Sequence, residues 1–211
     1  MFTRLGNAEG AGACLLHRAD IARFAGNGAL AGELLAQAQR ALDRAPHVIG
    51  AALVTLLEAE LALLSTPTPE VLERARAGFL DALHVLETVG AASLVSRAAF
   101  GLGRSGAGAV WFTRALRAAQ GAQDLAAVAV ATCGLVGVYA EDAASSPASL
   151  ERFVSAVADA KSALSRVPCV HPEAHQALER AAVASPHPAL RSLLVEQRAA
   201  KLAAKTNLPE P

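Results

Sequence analysis

Four stretches of this chain carry one spacing, and that spacing restricts the fold more than any other feature. In 75–83 a small residue, Ala75, is followed four positions later by Phe79 and three further on by the pair Ala82-Leu83. Leu34, Ala38 and Ala41-Leu42 fall on the same template, as do Gly108, Phe112 and Ala115-Leu116, and then Ala156, Ala160 and Ala163-Leu164. Residues three and four apart share one face of an α-helix, and a small residue on that face lets a neighbouring helix approach closely. The expected architecture is a stack of helical hairpins.

Composition points the same way. A chain of 211 residues with 53% hydrophobic content can bury a sizeable core as one domain or one continuous solenoid. It is rich in alanine, the best intrinsic helix former, while aromatics make up 4%. Its helices should therefore pack through small contacts, and the fold class expected is all-α. Lys+Arg and Asp+Glu are equal at 19 each, so no global field draws the chain to nucleic acid or to anionic membranes. Cys14, Cys133 and Cys169 are odd in number and widely spaced, which favours reduced thiols over a disulfide framework. The opening MFTRLGNAEG has no basic segment leading into an apolar one, so a cytoplasmic location is expected. The longest uncharged run, 125–140, contains Gly134 and Gly137 and falls short of the roughly 20 residues a bilayer span requires. A helix buried by its neighbours is the reading adopted, with no membrane partner.

Punctuation along the chain divides it into ten helices, at about 11–25, 29–44, 48–64, 69–88, 91–102, 107–120, 125–140, 147–165, 172–184 and 188–205. Gly26-Asn27-Gly28, Pro46, Gly90 and Pro168 act as breakers, and Thr68-Pro69-Glu70 spells an N-cap, a first-turn proline and an acid at the positive end of the helix dipole. Residues 1–205 read as a single repeat domain, and 206–211 as a flexible tail.

The second helix of each hairpin resembles the second helix of a tetratricopeptide repeat. Small, aromatic and small residues recur there at the spacing of Ala75, Phe79 and Ala82, and a proline closes the unit as Pro46 does. Ile21 and Ala22 stand at the leucine and glycine positions of the first helix, but its tryptophan and tyrosine positions are not aromatic. Successive Ala-Leu pairs lie 41, 33 and 48 residues apart, against a regular 34 in that family. The resemblance covers about 12–165. It implies a right-handed superhelix whose concave face, lined by first helices, takes a peptide, a partner protein or occasionally a small ligand. Arg18, Glu58, Arg97 and Tyr139 are the polar or aromatic residues on those helices.

Between Glu87 and Asp124 there is no acidic residue, yet Arg97, Arg104, Arg114 and Arg117 lie there. The third hairpin is thus locally basic and, with free N–H groups at the start of the sixth helix, is expected to suit a phosphate, a carboxylate or an acidic peptide. Gly101-Leu102-Gly103-Arg104-Ser105-Gly106 spells G-x-G-x-x-G, but it follows a helix where a dinucleotide fold would have a strand. Cys169, His171 and His175 have a permissible but incomplete zinc spacing, with no fourth ligand. No nucleophile elbow, Cys–His signature or paired carboxylate can be read out. The sequence therefore points to a non-catalytic, cofactor-free scaffold for a protein or peptide. The alternatives are a regulator that binds a small anion and, less favoured, a nucleic-acid binder. The first helix of the first hairpin carries only Arg18, Asp20 and Arg23 as charges, whereas the last helix has Arg191, Glu196, Arg198, Lys201 and Lys205. Its end is expected to pack on something, such as a second copy in a symmetric dimer.

Overall fold

The computed structural model describes residues 7–45, 47–64, 67–167 and 171–206, with side chains to 200. Pro46, Pro168, Cys169 and the tail 207–211 lie outside the described residues. Ten helices and no strand are found among those described: α1 (Ala8–Phe24), α2 (Gly28–Leu42), α3 (Val48–Ala62), α4 (Pro69–Thr88), α5 (Ala92–Leu102), α6 (Ala109–Gly121), α7 (Leu125–Asp142), α8 (Pro147–Ser165), α9 (Pro172–Ala184) and α10 (Pro188–Thr206). Between α5 and α6 the backbone unwinds through Gly103–Ala107, where Gly106 takes φ 86°.

Local chemistry sets the helix starts. Asn7, Asn27, Thr68, Asp124 and Ser146 each accept a hydrogen bond from the N–H three residues on, and His47 Nδ1 does the same for Gly50. Each such cap satisfies one of the amides that a helix leaves without a carbonyl partner. The Asn7 cap explains why α1 begins three residues before its apolar stripe suggests.

The chain divides into two compact units, Met1–Gly106 and Ala107–Pro211. In the first, each helix packs on the next, and α1 also packs on α3 and α3 on α5. Helices α1 and α3 run parallel, since Glu9 meets His47 at their starts (3.5 Å) and Arg23 meets Glu60 near their ends (3.1 Å). Leu16, Ala19 and Ala22 of α1 pack with Ala31, Leu34, Leu35, Ala38 and Leu42 of α2 and with Val54 and Leu57 of α3. In the second unit α7 is central, packing against α6, α8 and α9, and α10 lies on α9 and α8. Every residue from Ala129 to Val136 is buried. Among the described residues α7 alone is long and apolar enough to cross a membrane, and its middle is covered by protein.

The recurring small-residue spacing lies mostly on core faces, with Ala41, Leu116 and Ala163 half-buried and Gly108 a half-buried cap residue ahead of α6. Ala75, Phe79, Ala82 and Leu83 are buried, as are Leu34, Ala38 and Leu42, Phe112 and Ala115, and Ala156, Ala160 and Leu164. One interval repeats in full detail. Phe79 of α4 covers Gly101 of α5, and 33 residues on, Phe112 of α6 covers Gly134 of α7; a methyl group on either glycine would overlap the ring. The joining turns match as well. Gly90 and Gln123 both have positive φ (71° and 56°), and the next residue donates back to the carbonyl five before it, Ala91 to Leu86 (2.9 Å) and Asp124 to Ala119 (3.0 Å). This double-backed turn satisfies the carbonyls that the helix end would otherwise orphan. Gly26 makes the same turn between α1 and α2, with Asn27 donating to Ala22 (2.9 Å). The recurring turn therefore joins α1 to α2, as an expected hairpin does, and also α4 to α5 and α6 to α7, one helix out of register with the expected hairpins.

Candidate functional site

Glu60 sits in a helix that is otherwise almost wholly apolar, and a carboxylate so placed must find cations. It finds two. Arg97 of α5 donates to Glu60 through Nε (2.7 Å) and Nη2 (2.6 Å), and to Asp20 of α1 through Nη1 (2.8 Å) and Nη2 (2.6 Å). Arg23 adds Nε at 3.1 Å from both carboxylates. Glu60 and Arg23 are 4% and 2% exposed, and Asp20 and Arg97 are each 22% exposed. The cluster ties α1, α3 and α5 together with two positive and two negative groups. Burial works to raise the Asp20 pKa, but the hydrogen bonds and charge of Arg97, and then those of Arg23, outweigh it and hold the carboxyl below its ordinary value. Arg97 is pushed the other way: burial opposes its charge, and Glu60 and Asp20 prevail to raise its pKa.

Beside this cluster lies a cavity of about 170 Å³, walled by Leu16 of α1, by Leu42, by Leu53 and Leu57 of α3 and by Leu94 of α5. Asp20 and Arg97 line one part of it, and Glu9 with His47 another.

The second unit carries a larger, open groove of about 530 Å³. Val128, Thr132, Leu135 and Tyr139 of α7, spaced four, three and four apart, form its floor, with Leu116 and Gln120 of α6 on one side. The α8 side is a polar stripe, Arg152, Ser155, Asp159, Ser162 and Arg166, spaced three, four, three and four apart. Such spacing keeps all five on one face of the helix. No known protein family, characterised protein or solved structure matches the chain.

The residues singled out from sequence scatter. Arg97 lies against Asp20 and Glu60, so the anions it holds are the chain's own, and the basic run between Glu87 and Asp124 is offset there by acids from α1 and α3. Arg104 is half-buried in the unwound turn after α5. Arg114 and Arg117 belong to the second unit and are exposed on α6, with the Arg114 guanidinium 5.2 Å from the Trp111 ring centre. Arg18 is exposed outside the first-unit cavity, and Glu58 lies in a surface groove between α3 and α4 with Arg74 and Asp81. Tyr139 is half-buried in the second-unit groove. His171 is the cap residue of α9, and His175 Nε2 lies 3.2 Å from Glu179 Oε1, an i to i+4 pair on one helix; Cys169 lies outside the described residues. Cys133, at the centre of α7, has its thiol pKa pushed up to about 12 by burial, which keeps it protonated and unreactive. Sequence reasoning passed over Asp20, Arg23 and Glu60 as ordinary helix charges, although Glu60, one of two acids in the otherwise apolar α3, was a signal. It also missed the α8 stripe, which is visible as a run of polar residues at alternating threes and fours.

Proposed function

We propose that the chain is a non-catalytic, tetratricopeptide-like helical scaffold whose second unit binds a peptide segment of a partner protein. The observation that carries this reading is the open groove over α7. Its floor has an apolar strip, Val128 and Leu135, flanked by Thr132 and Tyr139, and its α8 side alternates cation, acid and cation at Arg152, Asp159 and Arg166. Apolar surface supplies affinity, while fixed charges set register and exclude mismatched partners. The fitting partner segment lays small apolar side chains on α7 and carries carboxylates toward Arg152 and Arg166. The parallel course of α1 and α3 and the 33-residue recurrence of the Phe–Gly contact support a repeat scaffold. A small-anion or nucleic-acid role is less well supported, because Arg97, one of the four arginines named for it, is already neutralised.

Selection of the full chain against an unbiased displayed-peptide library tests the proposal. Acid-bearing peptides should be enriched, and the Arg152→Glu/Arg166→Glu variant should weaken their binding about tenfold or more, worth about 1.4 kcal/mol. Arg117→Glu, outside the groove, should leave binding unchanged. No enrichment, or binding indifferent to the α8 reversals, overturns the reading.

A further inference from the structure

We infer that the cavity of the first unit is a site for a small uncharged molecule with an apolar body of about benzene's size and one hydrogen-bond acceptor, seated beside Arg97. Size comes first. The cavity measures about 170 Å³, and an apolar cavity of about 150 Å³ is enough to take up benzene. Its apolar walls are leucines from four helices, and Leu42 is held firmly in place: its side chain occupies the space where Gly12 and Gly50 would otherwise carry Cβ atoms, at 2.8 and 3.0 Å. A cavity walled by fixed side chains is preformed and loses little freedom on binding.

Donor bookkeeping supplies the polar contact. A guanidinium has five N–H groups. Arg97 commits four to Glu60 and Asp20, namely Nε–H, both on Nη2 and one on Nη1. The fifth, on Nη1, has no acceptor among the described residues, and Arg97 lines the cavity. The charge follows from the same cluster. Two guanidiniums already balance two carboxylates, so an anion would add an uncompensated negative charge beside Asp20 and Glu60, and a cation would face Arg97. A neutral acceptor, such as a carbonyl, meets neither penalty. Access is over α1, where Ala13 and His17 are exposed and line the cavity.

The test titrates the ¹⁵N-labelled full chain with acetophenone, with ethylbenzene as the isostere without an acceptor, and with benzoate as the anion. Acetophenone should shift the amides of Leu16, Leu53 and Leu57 and bind about tenfold or more tighter than ethylbenzene, the worth of one hydrogen bond from a charged donor, with benzoate weakest. Ala13→Phe, a change at an exposed position that covers the mouth, should abolish these shifts while the rest of the spectrum stays native. Arg97→Lys keeps the charge without the Nη1 donor and should reduce acetophenone to the affinity of ethylbenzene. Equal binding of acetophenone and ethylbenzene by the native chain, tighter binding of benzoate, or shifts that persist in Ala13→Phe would overturn the assignment.

Discussion

Asp20 shows how one residue's titration becomes a property of the fold. Its native pKa lies below the ordinary value because Arg97 and Arg23 outweigh the cost of its burial. A carboxyl whose folded pKa is depressed contributes stability that is fully present above its unfolded pKa, near 3.9, and is lost as pH falls through the folded value. The stability of the native chain should therefore hold from neutral pH down to about 5 and decline below about 4. Replacing Asp20 with Asn removes that proton-linked contribution and leaves the two arginines facing one carboxylate. Breaking such a buried pair costs about 3–5 kcal/mol, and the 22% exposure of Asp20 places the cost toward the lower end. Urea unfolding of both proteins at pH 7 and pH 3 checks this. The gap between them should narrow at the lower pH, and a gap of equal size at both would show that the cluster does not sense protons through Asp20.

At the scale of elements, the recurring turn has one weak copy. In the turns after α1 and α6 the residue that closes the turn also caps the next helix through its side chain, Asn27 accepting from Leu30 (3.1 Å) and Asp124 from Ala127 (3.0 Å). After α4 the same place holds Ala91, which has no side-chain cap for α5. The backbone is already arranged for one, since Ala91 donates to Leu86 as its counterparts do to Ala22 and Ala119. Ala91→Asp should therefore raise stability by about 1 kcal/mol, the usual difference between alanine and a good N-cap. A rise in the denaturation midpoint with an unchanged slope is the expected result, and no rise would mean that the α4–α5 turn differs from its counterparts in a way the backbone does not reveal. The elements themselves were the legible part of the sequence. Helices α4 and α8 begin where Thr68-Pro69 and Ser146-Pro147 say they should, because a cap and a first-turn proline act within a few residues. The partners of Arg97 were not legible. Asp20 and Glu60 lie 77 and 37 residues before it in the chain, and counting acids along a segment cannot foresee neutralisation across helices. The α8 stripe stood in plain view as a period, but only the fold sets it against the α7 floor as a groove.

For the whole molecule, charge decides between kinds of partner. The 19 cationic and 19 acidic residues cancel, and among the arginines that made the 87–124 segment look basic, Arg97 is locked against acids. If Arg97, Arg104, Arg114 and Arg117 all met phosphates, counterion release would weaken binding with a slope near −3.6 on a log–log salt plot, roughly a hundredfold between 50 and 200 mM salt. The α8 stripe offers only Arg152 and Arg166, with Asp159 between them, so a peptide held there should lose no more than about threefold over that range. Fluorescence anisotropy of a groove-selected peptide and of a labelled DNA duplex, each titrated across those salt concentrations, separates the two cases. The peptide should remain bound at 200 mM while the duplex shows no retained binding. A duplex that binds with the steep slope would mean that the exposed arginines act together on a phosphate backbone, and the peptide groove would then lose its claim to be the principal contact surface.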